Sequence, residues 1–206
     1  AEHGIRWKFI APRAAWWGGW WERMVGTTKR CLRNVLGHSR LTEEQLNTTL
    51  VSIEAAVNSR PIVQHGDSDA LTPSHFLIDE GLVTIPTGPE PETRRDLAKE
   101  FRRRLKLADD FWKRWQKEYL LQLRSFHMVR GPGKATDLHQ GDVVLIQEDV
   151  RPRHMWKKAV IEGLLQGRDG KVRTVVLRTP DGLRISRPVQ LVIPLEVDQG
   201  GEDVGE

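Results

Sequence analysis

The sequence predicts an α+β protein: helices first, then one long helix, then a small antiparallel β-barrel. Three observations carry this. Between residue 21 and about residue 123, apolar side chains recur at steps of three and four, the spacing of a helix face. After the breaker-rich RGPGKATDLHQG (130–141) the period shortens to two, the spacing of strands. The 206 residues are 38% hydrophobic and 29% charged, a composition that can fold.

Taken in order, IRWKFI (Ile5 to Ile10) alternates and reads as a short strand, and APRAAWWGG after it reads as a loop. From Trp21 a first helix is expected, with Trp21, Val25, Thr28, Leu32, Val35 and Leu36 as its apolar face and Gly37 as its C-cap. Thr42 and Gln45 in TEEQ form a capping-box pattern that opens a second helix. That helix turns Leu46, Leu50, Ile53 and Val57 inward and stops at NSRP, because Pro61 disfavours helical geometry at Arg60. Thr72-Pro73 gives an N-cap and a proline at the first helical position, starting a short helix SHFLI. PTGPEPE (Pro86 to Glu92) has linker composition.

The segment TRRDLAKEFRRRLKLADDFWKRWQKEYLLQLR lacks Gly and Pro. Phe101, Leu105, Ala108, Trp112, Trp115, Tyr119 and Gln122 or Leu123 form a single stripe along it, so one long helix is expected. DVVLIQE, KAVIEGLL, VRTVVLRT, LRISRP and VQLVIPL are five strand candidates, with turn signals at Arg168-Asp169-Gly170 and Pro180-Asp181-Gly182. Closing five short strands into a barrel removes exposed edges.

Charge points to a partner. The chain is +4, but the last eleven residues hold five acids (Glu196, Asp198, Glu202, Asp203, Glu206) and no Lys or Arg. Residues 1–195 therefore carry 32 basic against 23 acidic side chains, an excess that favours a polyanion, although a basic soluble surface needs no partner. The acidic stretch has too little apolar surface to offset ordering and is expected to be a disordered tail. Cys31 is alone and the seven His have no Cys partner at zinc-ligand spacing, so an intracellular scaffold without structural metal is expected. No apolar run reaches the roughly 18 residues of a membrane helix, and the start has neither an initiator Met nor a signal-peptide plan.

Glu22 falls in the first turn of the first helix, where the helix dipole favours a carboxylate with no function at all. Its company suggests more. Arg23, Lys29, Arg30 and Arg33 follow on the same helix, and Lys29 lies two turns on at nearly the same azimuth. A carboxylate beside a basic row suits metal-dependent phosphoryl transfer on DNA, with the acid on Mg²⁺ and the lysine on a phosphate.

The run WKFIAPRAAWWGGWWERMV, with SIEAAVNSRPI, LTPSHFL, FWKRWQKEYLLQL, GDVVLIQED, W-x₃-V-IEGLLQGRDGKVRTVVLRT and RPVQLVIPL after it, resembles retrotransposon integrases of the Bel/Pao type from about residue 5 to 195. The resemblance implies an RNase H-like core and a D,D,E triad on two divalent metals, Mg²⁺ or Mn²⁺. The triad's glutamate stands in the GG-x-x-ER motif, hence at Glu22, and Lys29 matches a position that contacts element DNA ends. The triad's two aspartates lie upstream of this helix in that family, whereas Glu2 is the one acid before Glu22 here. The chain is thus expected to be the C-terminal portion of an integrase that holds no metal and joins no DNA alone, since one carboxylate cannot hold two metals. The complete protein would act on DNA in the nucleus as a homo-oligomer.

The same resemblance divides the chain into the end of the RNase H-like core (1–88), a linker and long helix (89–136), an SH3-like barrel (137–195) and the acidic tail (196–206). Arg60, in the helix ending Asn58-Ser59-Arg60-Pro61, is either a DNA-contact residue or part of a helix stop. Trp112, Trp115 and Tyr119 fit core packing better than base stacking, and Trp156 fits an anchor of the barrel. The long helix's other faces carry Lys99, Arg102, Arg103, Arg104, Lys106, Lys113, Arg114 and Lys117, with Arg103 and Lys113 chosen as phosphate contacts. Residues 142–195 hold ten Lys or Arg against six acids. Arg151, Arg153, Lys157, Lys158, Arg173, Arg178 and Arg184 are their candidate contacts, which would be salt-sensitive and poor in sequence readout. Two alternatives stay open: a non-catalytic DNA- or chromatin-binding remnant, and a scaffold whose long helix pairs as a coiled coil.

Overall fold

The computed structural model describes residues 19–37, 39, 41–67, 69–80, 95–130, 138–148 and 152–197. The expected strand Ile5 to Ile10, the loop after it and the linker Pro86 to Glu92 lie outside these residues. The architecture is α+β, with a long helix and a five-stranded antiparallel sheet.

Helix α1 (Gly19–Leu36) ends at Gly37, whose φ of +52° suits glycine and whose N–H donates to Arg33 O at 2.9 Å. Its buried face differs from the expected stripe. Met24, Thr27 and Cys31 are buried with Trp20, Leu32 and Val35 packed beside them, while Trp21 is 55% and Val25 49% exposed. The face turned because α1 runs antiparallel along the long helix, pairing Trp20 with Phe126, Thr27 with Gln122 and Arg30 with Glu118.

Helix α2 (Glu43–Asn58) has the expected capping box, with Thr42 Oγ1 accepting from Gln45 N and Gln45 Oε1 accepting from Thr42 N. It buries Thr49, Ile53 and Ala56, so of the expected inward residues Ile53 is covered, Val57 is half-buried, and Leu46 and Leu50 stand exposed. A hairpin that the sequence reading missed follows, β1 (Val63–His65) against β2 (Asp69–Leu71), turning at Gly66 with φ +62°. Helix α3 (Pro73–Ile78) opens at Thr72 as expected, with His75 Nδ1 accepting from the Thr72 N–H.

Helix α4 (Arg95–Arg130) is buried over more than one stripe. Phe111 and Leu120 join Ala108, Trp112, Trp115, Tyr119 and Leu123, because helices pack on one side of it and the sheet on another. The sheet comprises β3 (Val143–Ile146), β4 (Lys158–Gln166), β5 (Val172–Arg178), β6 (Arg184–Pro188) and β7 (Val192–Pro194), in the order β6-β5-β4-β3-β7. The two turn signals hold, with Gly170 and Gly182 at positive φ, while VQL (Val189–Leu191) is a 3₁₀ turn rather than strand.

One side of the sheet packs on itself through Val144, Ile161, Val175 and Leu177. The other side, through Val143, Leu145, Val160 and Ile193, shares a core with Trp115 and Tyr119 of α4 and with Met24 and Ile53 of the first two helices. Trp156 enters this core edge-on to Trp112, Trp115 and Tyr119, with ring centroids 5.1, 6.0 and 5.3 Å away. It is the anchor expected of it. From Ala108 to Leu123 the α4 stripe is therefore covered by its own chain, whereas Phe101 and Leu105 are half-buried.

Candidate nucleic-acid interface

Glu22 is exposed in the first turn of α1, beside Arg23 and two turns before Lys29, which is also exposed. No group of three or more His, Cys, Asp or Glu among the described residues could hold a metal ion. Among the described residues Glu22 has no companion carboxylates for a two-metal centre, and these residues by themselves do not fit that ion pair.

The basic residues fall into two sets. On α1 and α4 most cations face solvent, the exceptions on α4 including Arg104, paired with Glu100 at 3.0 Å, and Arg124, which donates to Gln147 at 2.8 Å. Arg23, Lys29 and Arg33 are exposed and without a carboxylate within 4.0 Å among the described residues, whereas Arg30 lies 3.9 Å from Glu118. On α4, Lys99, Arg103, Lys106, Lys113 and Lys117 are exposed along one line of the helix opposite its buried face, likewise without an ion pair among the described residues. At 1.5 Å rise per residue the row is about 27 Å long. Arg114 and Arg30 both stand close enough to Cys31 to act on its thiol, with Glu118 among them as the stronger, opposing charge.

On the sheet the cations are matched by acids of the same chain. Glu162, placed at a register shift in β4, takes Arg184 at 2.7 Å and Arg178 at 3.2 Å. Glu148 takes Lys157, and Arg187 at 3.2 Å. Lys158 pairs with Asp69 of β2, Arg153 with Asp109 of α4 at 2.9 Å, and Arg173 with Asp169 at 2.7 Å. The hydrogen bond from Lys157 holds the Glu148 carboxyl below its ordinary range, and Arg173 does the same to Asp169. Partial burial alone would raise the Asp69 carboxyl, yet Lys158 and the Ala70 N–H bring it below the usual value. Arg151 lies outside the described residues.

Arg60 is not at the surface with the other candidates. Its side chain is 18% exposed, its Nε donates to Glu196 Oε1 at 2.9 Å and its Nη1 to Val57 O at 3.0 Å. Glu196 was expected to begin the loose tail, but it is packed, and Val197 forms a parallel bridge with Val63. Sequence reasoning missed this network because an acid at the head of an acidic run looks solvated. The arginine fixed before Pro61 was the available signal of a buried partner.

Residues 99–195, which span most of α4 and the whole sheet, match a family described only as a family of unknown function (DUF5641). No curated protein matches the chain. Among the described residues no helix is long and apolar enough to cross a membrane.

Proposed function

We propose that this chain is the C-terminal portion of a retroelement integrase of the Bel/Pao type. In this reading α1 to α3 close an RNase H-like core, α4 is the connecting helix and the five-stranded sheet is an SH3-like barrel. The complete protein joins element DNA to host DNA in the nucleus as a homo-oligomer, with Mg²⁺ or Mn²⁺ at a site to which Glu22 contributes.

One observation carries the reading. Trp21 and Val25 on α1 belong to the apolar stripe expected from sequence, and they stand exposed beside Glu22. Unpartnered apolar faces of this kind mark surfaces meant to be covered. A β-layer packed there would bury them and bring the missing carboxylates next to Glu22. The row of unpaired cations on α1 and α4 supports DNA as the partner. Since the described residues do not fit a two-metal centre, no chemical step is assigned to this chain alone.

Incubated with Mg²⁺ or Mn²⁺ and a labelled element-end oligonucleotide, the chain by itself should give no joined product. In the complete integrase, Glu22→Gln should abolish joining and spare DNA binding, and retained joining would remove Glu22 from the active site. The lone Glu22 also suits a second reading, a DNA- or chromatin-binding remnant. An upstream open frame with two suitably spaced aspartates separates the two.

A further inference from the structure

The carboxylate of Glu196 gathers donors from three elements that are distant in sequence. Oε1 accepts from Arg60 Nε at 2.9 Å and from the Tyr119 hydroxyl at 2.9 Å, and Oε2 accepts from Trp20 Nε1 at 3.2 Å. The Glu196 side chain is 11% exposed. Each donor is itself fixed. Arg60 also holds Val57 O, the Tyr119 hydroxyl also reaches Pro61 O at 3.2 Å, and Trp20 lies 4.8 Å from the Phe126 ring. On the acceptor side, Val197 N donates to Ile62 O at 2.9 Å, which holds the backbone just past Glu196 against the strand after Arg60.

The first turn of α1 has few other holds. Trp21, Glu22 and Arg23 are exposed, so among the described residues Trp20 is the side chain through which this turn meets the rest of the protein. Glu22 is two residues further on. We infer that Glu196 is a positioning residue: from the end of β7 it fixes Trp20, and through it the first turn of α1, against α4 and the turn after α2. The value of this for chemistry rests on the reading of Glu22 given above, because a carboxylate that serves a metal must stand at a set distance from its companions. The end of the sheet and the first turn of the helix bearing Glu22 would then be tied to each other by one acid.

The isosteric variant Glu196→Gln isolates the effect. An amide accepts through one oxygen, so it cannot serve all three donors. The oxygen stays with Arg60 and Tyr119, where the charge is, and the amide N–H₂ is left facing the Trp20 N–H. In proton–nitrogen spectra of the chain, with the Trp20 indole assigned by Trp20→Phe, E196Q should shift that indole resonance. It should also speed amide exchange of residues 23–26 about tenfold or more, the scale of one lost charge-assisted hydrogen bond. Amides of β4 and β5 should keep their rates. Glu196→Ala should do the same and is the second variant. An unmoved indole resonance with unchanged exchange at 23–26 in both variants would overturn the inference. Exchange that speeds equally in α1 and the sheet would also overturn it, by showing a general stabiliser. Neither measurement involves DNA joining, so this inference and the role of Glu22 can fail separately.

Discussion

Neutralising the outer face of α4 gives the sharpest test of where a polyanion would bind. The perturbation is the triple variant Arg103→Gln, Lys113→Gln, Lys117→Gln, at exposed positions without ion pairs among the described residues. Each phosphate contact contributes about 0.9 to the slope of log affinity against log salt. If all three residues touch phosphates, the slope should be shallower by about 2.7. Between roughly 50 and 200 mM salt the native chain should then lose roughly 40-fold more affinity than the variant. The matched control is Arg178→Gln with Arg184→Gln. Both arginines already hold Glu162, so a phosphate gains them only by breaking those pairs, and the slope should change by less than about one unit. Fluorescence anisotropy of a labelled random-sequence duplex over that salt range measures both. A triple variant with the native slope, or a control with the larger change, would refute the assignment of the interface to the helix.

The other predictions concern packing and titration. Ile53→Ala should cost about 2–4 kcal/mol by urea unfolding, while Leu50→Ala should cost under about 1 kcal/mol. Equal costs would mean that the apolar stripe read from sequence is the buried one after all. Burial, and then Arg153, lower the His154 pKa from 6.5, so the fold prefers the neutral ring. Its contribution is complete above the unfolded value of 6.5 and is lost as pH falls below it toward the folded pKa. His154 has φ +66°, which Asn tolerates, so His154→Asn should flatten the fall in stability from about pH 7 to 5. Parallel stability profiles would assign that fall to other groups. Burial, and then Glu118, raise the Cys31 thiol, so it should react with an aromatic disulfide reagent only as fast as the protein opens. Prompt reaction in native buffer would place it elsewhere.

How far the fold could be read in advance depended on whether the signal was local. Capping at Thr42 and Thr72, the stop before Pro61, and the glycine turns at 170 and 182 rest on short-range chemistry, and each is found where expected. The faces of α1 and α2 are set by what covers them. Trp21 and Met24 stand only about 60° apart around one helix, both are apolar, and the neighbour decides which is buried. Strand β3 shows no alternation because all four residues are buried, two toward the sheet's own core and two toward α4. Among candidate site residues, composition located the cations but not their pairing. Arg178 and Arg184 look as available in sequence as Arg103 and Lys113, and only the fold brings Glu162 between them. Glu196 was illegible for the same reason, since its partners lie 77, 136 and 176 residues away.

The indoles of Trp112, Trp115 and Trp156 have a mechanical consequence. Trp156 arrives from the loop before β4 and sits against three rings of α4, so the helix is a spine gripped from two sides rather than a spacer between independent parts. A hinge between helices and sheet would have to open this aromatic seam, at a cost on the scale of about 3–5 kcal/mol for each large ring uncovered. The span from the cations of α1 to those of the sheet is accordingly fixed like marks on a ruler. In the proposed reading, a bound duplex would have to adapt to the protein's spacing, not the reverse.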